Sequence, residues 1–150
     1  MNILFISSEQ NPFIPPKEGG EQRTQLLLRA CSNVAKVDIV AFTSNVISNH
    51  PACKVIYSGS VNKNNQPTRW QKFKSLLTFW QPYSLFPINK EKEAIITKVL
   101  QNKEYDAIVV RYIPKALECG LFQYANKLIV DVDDHPSDVF ASIARQSSSF

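Results

Sequence analysis

Three short stretches of the chain carry the residue types that hold or move charge. The first runs from Ser7 to Gly20 and contains Pro12, Pro15 and Pro16, then Lys17-Glu18-Gly19-Gly20, which places two of the four glycines of a 150-residue sequence side by side. Glycine lets a backbone approach an anion closely. A helix beginning there would set its positive dipole end behind the same spot, with Arg23 within its first turn. The stretch is not Gly-x-Gly-x-x-Gly, and no Lys-Ser or Lys-Thr follows, so it supports neither a dinucleotide fingerprint nor a P-loop. The plainer alternative is a turn. The second stretch is Arg111-Tyr112, where a guanidinium could grip phosphate or carboxylate in a bidentate manner, or pair internally with Glu118 or a nearby aspartate. The third is Asp131-Val132-Asp133-Asp134-His135-Pro136. Carboxylates beside a histidine can orient a hydroxyl, bind a metal or fix one imidazole tautomer; alternatively, Asp133 and Asp134 cap a helix and His135 is exposed.

These stretches need a frame that brings them together. Ile3 to Ile6, Val37 to Phe42, Ala107 to Val110 and Leu128 to Val132 are short, branched and apolar without alternation, which predicts strands of a parallel sheet covered on both faces. Lys54 to Tyr57 is a weaker fifth. From Thr24, the spacing of Leu27, Ala30, Cys31 and Val34 predicts one buried helical face. Asn89 is a good N-cap for a helix over Lys90 to Gln101, with Ile95, Ile96, Val99 and Leu100 inward. Pro114 suits the first turn of a short helix through Leu121, and Ser137 to Arg145 reads as a further one. Strands alternating with helices predict an α/β, Rossmann-like three-layer domain with a mostly parallel sheet. In such a sheet, ligands bind beyond the carboxyl ends of the strands, where all three charged stretches fall.

Composition narrows the classes further. An apolar share of 44% and a charged share of 20% are ordinary for a globular chain. The formal charge of +4 is mild but uneven: Ile39 to Lys90 holds no Asp or Glu, yet contains Lys54, Lys63, Arg69, Lys72, Lys74 and Lys90. This is either a solvated basic face or a field for phosphates, anionic lipids or nucleic acid. Within it, Trp70, Phe73, Leu76, Leu77 and Trp80 share one helical face over 69–81. That helix packs on the sheet in one reading and lies on a membrane surface in the other. Aromatics at core spacing argue against a nucleic-acid surface. Cys31, Cys53 and Cys119 lack Cys-x-x-Cys spacing and suit reduced thiols in a cytoplasmic protein; the sequence supplies no four-ligand zinc set.

Taken in order, the stretches Asn2-Ile3-Leu4-Phe5-Ile6-Ser7-Ser8, Gly19-Gly20-Glu21-Gln22-Arg23, Tyr105-Asp106-Ala107-Ile108-Val109-Val110-Arg111-Tyr112 and Leu128-Ile129-Val130-Asp131-Val132-Asp133-Asp134 are similar to the amino-terminal domain of retaining GT-B glycosyltransferases of the group 1 (family 4) type. The resemblance covers nearly the whole chain. It implies residues 1–150 as one acceptor-side domain, with Gly19 and Gly20 beside the donor diphosphate and Arg23 and Arg111 as neighbouring phosphate-binding groups. The implied reaction is hexosyl transfer from a nucleotide-sugar to a sugar or lipid-linked acceptor, as in polysaccharide biosynthesis, with no metal and no cofactor. The family's carboxyl-terminal donor-binding domain, with its Glu-x7-Glu motif, is not expected in this chain, so these residues alone are expected to be inactive. Many relatives carry a catalytic-site histidine where this sequence has Arg111, which leaves His135, with Asp133 and Asp134, as the catalytic candidates. The implied location is cytoplasmic, with membrane-surface contact through 69–81 at the inner face. The competing reading is a stand-alone α/β module that binds an anionic ligand without turnover.

Overall fold

The computed structural model describes residues 1–7, 10–48, 50–61 and 88–132. Within them, five strands form one all-parallel sheet: β1 (Asn2–Ser7), β2 (Lys36–Ala41), β3 (Cys53–Ser58), β4 (Ala107–Arg111) and β5 (Leu128–Asp131). The spatial order is β3-β2-β1-β4-β5, with the chain's first strand at the centre. Phe5 lies opposite Ile39 of β2 and Val109 of β4, so three apolar strands meet in register at the middle of the sheet. The expected α/β, Rossmann-like architecture is therefore present, and among the described residues every strand pair is parallel.

Alternating side chains of each strand feed two cores, because successive residues of a strand face opposite sides. Ile3 and Phe5, Val37 and Ile39, and Val109 pack with Leu28 and Cys31 of α1 (Gly19–Val34). Leu4 and Ile6, Val40, and Ile108 and Val110 pack on the other face. There they meet Ile96 of α2 (Lys90–Asn102) and Ala116 of α3 (Ile113–Glu118). The layering follows from handedness: right-handed crossovers moving outward from β1 toward β3 lie on one face, and those moving the other way lie on the opposite face.

Several local expectations hold in detail. Asn89 caps α2, its side-chain oxygen accepting from the Glu91 and Lys92 amides at 3.0 and 3.2 Å. Asn89→Ala is expected to lower stability by about 1 kcal/mol, read as a shift in the denaturant midpoint without a change in slope. The helix containing Pro114 stops at Glu118 rather than Leu121, because Gly120 turns left-handed (φ 66°) and a short 3-10 turn, Leu121–Tyr124, follows. The α1 face is rotated from expectation. Ala30 and Val34 are exposed, while Thr24, Leu28, Cys31 and Ser32 are buried. Two polar residues turn inward because both are hydrogen-bonded there, Thr24 to Gln10 and Gly20, and Ser32 to the Arg29 carbonyl. The helix also starts five residues earlier than its apolar pattern, at Gly19. The expected helices over 69–81 and 137–145 lie outside the described residues, and no helix among the described ones is long and apolar enough to cross a membrane.

The three cysteines are free and buried. Burial raises the thiols of Cys31 and Cys53, and pushes that of Cys119 up to about 12. Thiolate is the reacting species, so an aromatic disulfide reagent at pH 8 is expected to label the native chain far more slowly than the denatured one, with Cys119 last. Rapid labelling of all three in the folded state would contradict the packing.

Candidate functional site

The strand order creates one place where the chain's course reverses. β1 leads to α1 on one face of the sheet, and its neighbour β4 leads to α3 on the other, so the carboxyl ends of β1 and β4 border a crevice that no connection among the described residues covers. Ile6, Ser7, Gln10, Thr24, Arg111, Tyr112 and Lys115 line it, enclosing about 60 Å³.

The start of α1 stands at this crevice. Glu18 is the N-cap residue without a side-chain cap, and its carbonyl accepts the first intrahelical bonds, from the amides of Glu21 and Gln22. The leading N–H groups of Gly19 and Gly20 therefore have no acceptor within the helix. A Cβ on Gly20 would face Gln10 Nε2 and Tyr112 Oη at 3.6 Å and Arg111 Nη1 at 3.8 Å, which is ordinary contact. A Cβ on Gly19 would meet nothing within 4 Å. Packing inside the protein thus demands glycine at neither position, although alanine would make a better helix by about 0.5–1 kcal/mol.

Arg111 ends β4 and is almost fully buried, at 5% exposure. Its Nε donates to Asp131 Oδ2 at 3.2 Å, and Nη1 donates to the Thr24 hydroxyl at 2.6 Å and to the Gly20 carbonyl. Nη2 donates to Tyr112 Oη at 2.9 Å, and the guanidinium stacks 4.7 Å from that tyrosine ring's centre. Of the two internal partners open to Arg111, the structure selects Asp131; Glu118 instead takes Lys92 at 2.9 Å and Lys115 at 3.6 Å. One side chain thereby fastens the first turn of α1 to the ends of β4 and β5.

Arg23, half-exposed, clasps the same aspartate from outside, with Nε to Oδ2 at 3.0 Å and Nη2 to Oδ1 at 2.8 Å. Hydrogen bonding from Arg23 is the largest influence holding the Asp131 carboxyl below its usual range, assisted by Arg111 and opposed by burial. Two guanidiniums thus converge on the Asp131 carboxylate beside the crevice.

Tyr112 carries the local backbone strain. Its φ of 69° with ψ of 132° is a conformation that residues other than glycine rarely adopt. It is held by its amide, which donates to the Asp131 carbonyl at 2.9 Å, and by its hydroxyl on Arg111. Such strain persists where surroundings over-determine it, commonly at binding sites.

Of the residues singled out in the sequence, Gly19, Gly20, Arg23 and Arg111 thus come together. Asp133, Asp134 and His135 lie outside the described residues, as do 69–81. Ser7 and Gln10 belong to the loop singled out in the sequence, whereas Thr24 and Lys115 were not legible as lining residues. For Thr24 one signal existed: it follows Gly20 by one helical turn, which puts it on the same side of α1. Among the described residues, no three His, Cys, Asp or Glu side chains gather as a metal-binding group.

Fold and crevice together define an α/β protein of Rossmann-like architecture whose switch point carries a helix start and two arginines joined through Asp131. Comparison with family models, with curated protein sequences and with solved structures finds no match for this chain.

Proposed function

We propose that these residues form the amino-terminal, acceptor-side part of a GT-B glycosyltransferase, with the switch-point crevice receiving the diphosphate of a nucleotide-sugar donor. The observation that carries the reading is the meeting of Gly19, Gly20, Arg23 and Arg111 at one edge of the parallel sheet. The glycine amides offer donors to the anion with no side chain of their own in its way, and the guanidiniums of Arg23 and Arg111 lie beside them. In transfer, charge growing on the leaving diphosphate is stabilised by fixed donors and cations rather than by a protein nucleophile. A crevice of about 60 Å³ suits a phosphoryl group; complete ligand sites span roughly 300–1,000 Å³. The size agrees with a site that a second, donor-binding domain completes. In this reading the acceptor is a sugar or lipid-linked sugar, and His135, Asp133 and Asp134 remain the candidates for acting on its hydroxyl.

The test is sugar transfer from a panel of nucleoside-diphosphate sugars by the polypeptide encoded by the complete reading frame that carries these residues. Transfer that depends on Gly20 supports the reading. A folded sample that binds nucleoside diphosphates without transferring from any of them points to the non-catalytic binding module instead. A sample that does neither overturns both.

A further inference from the structure

A second cavity lies away from the switch point, beside the crossover from β2 to β3. β2 and β3 are parallel neighbours, so residues 42–52 must cross back over the sheet. Val46 packs with Leu28, Ile39 and Cys53, which puts this crossover on the α1 face. Doubly wound sheets ordinarily use a helix there, lying alongside the preceding one. Here the crossover has none: Asn45 takes a left-handed turn (φ 62°), and the flank of α1 that a helix would cover stays open. The result is a cavity of about 430 Å³, within the roughly 300–1,000 Å³ range of small-molecule sites.

Its lining has two characters. Pro12, Phe13, Leu28 and the buried thiol of Cys53 are apolar, the last kept neutral by desolvation. Arg29 and His50 are exposed. Among the described residues, Arg29 is the only one in the lining with a fixed positive charge, none in the lining is acidic, and no carboxylate pairs with Arg29. The His50 Nδ1 accepts from the Ala52 amide at 3.3 Å, so its Nε2 is the ring's remaining donor.

We infer that this cavity binds a small amphiphilic carboxylate, its apolar body against Phe13 and Leu28 and its single negative charge on Arg29, with the His50 Nε2–H as a second donor. One guanidinium matches one monoanion, and its planar fork accepts a carboxylate through two parallel hydrogen bonds. The site is separate from the crevice at Gly20 and does not depend on the function proposed for it.

The probes are 4-phenylbutyrate and its uncharged isostere 4-phenylbutanamide, titrated into the protein with backbone amide NMR shifts as the readout. The acid is expected to saturate with shifts clustered at Gln25, Leu28, Ser32 and Cys53, and the amide to bind at least about tenfold more weakly. Arg29→Met, a change at an exposed position, is expected to weaken the acid about tenfold while leaving the amide unaffected. Lys54→Met, which removes an exposed cation outside the lining, is expected to change neither. No saturable shift, equal affinity for acid and amide, or an Arg29→Met variant that binds the acid unchanged would each overturn the inference.

Discussion

Asp131→Asn is expected to destabilise the fold by about 3 kcal/mol at neutral pH, although asparagine preserves the shape of the side chain. The cost arises at Arg111. This guanidinium is almost wholly buried, and its Nε donates to Asp131 at 3.2 Å; asparagine removes that charge pairing from beneath the start of α1. The Arg23 side of the same aspartate is half-exposed, so Arg23→Met is expected to cost under about 1 kcal/mol. A large effect for Asp131→Asn and a small one for Arg23→Met would locate the energy in the inner pair. Similar small effects for both would show that Arg111 does not rely on the aspartate. The pH dependence has a definite sign. The Asp131 carboxyl titrates lower in the folded state than in the unfolded chain, so its contribution is fully present above the ordinary carboxylate value of about 3.9. It is lost as pH falls through the lower folded value. The stability gap between wild type and Asp131→Asn should therefore narrow in urea titrations carried out below about pH 4.

Gly20→Val is expected to lower sugar transfer about 100-fold in the complete polypeptide, equivalent to about 2.7 kcal/mol of transition-state stabilisation. Removing a single fixed donor to a developing anion costs about 100- to 1,000-fold, and a branched side chain at the helix start would keep the anion away from the same N–H groups. A Cβ at this position meets its neighbours at 3.6 Å or more, so alanine fits the fold as it stands. The valine methyls reach toward Gln10, Tyr112 and Arg111, so the thermal midpoint is measured alongside turnover. Valine is also a better helix residue than glycine. Gly20→Ala serves as the intermediate case, with the smaller group intruding less. Unchanged turnover in Gly20→Val, in a sample whose thermal midpoint is retained, would remove the diphosphate from this crevice. Lost turnover with a lowered midpoint would instead make Gly20 a folding residue.

Most of the frame was written in local patterns. The branched apolar runs ending at Ile6, Val110 and Val132 mark strands to within a residue, because strands buried on both faces leave no room for polar alternation. Asn89 marked the start of α2 because capping depends on one side chain and two adjacent amides. Even the weak segment Lys54 to Tyr57 became β3, an edge strand whose half-exposed positions explain its mixed composition. Gly19, Gly20, Arg23 and Arg111 could be picked out as candidates because bare backbone at a helix start and guanidiniums near it can face an anion, and the structure gathers the four at one sheet edge.

Matters that turn on residues far apart in the chain stayed hidden until they were packed. The choice of Asp131 over Glu118 as the partner of Arg111 depends on β5 lying beside β4, and nothing in either segment states that pairing. The inward turn of Thr24 and Ser32 runs against their polarity; hydrogen bonds to partners around them reverse it. The groove beside α1 is walled by Phe13, Leu28 and Cys53, which come from three separate segments and meet only when those segments pack. Periodicity and capping act within a few residues and can be read along a chain, whereas charge pairing and cavities arise between elements, where distance in space replaces distance in sequence.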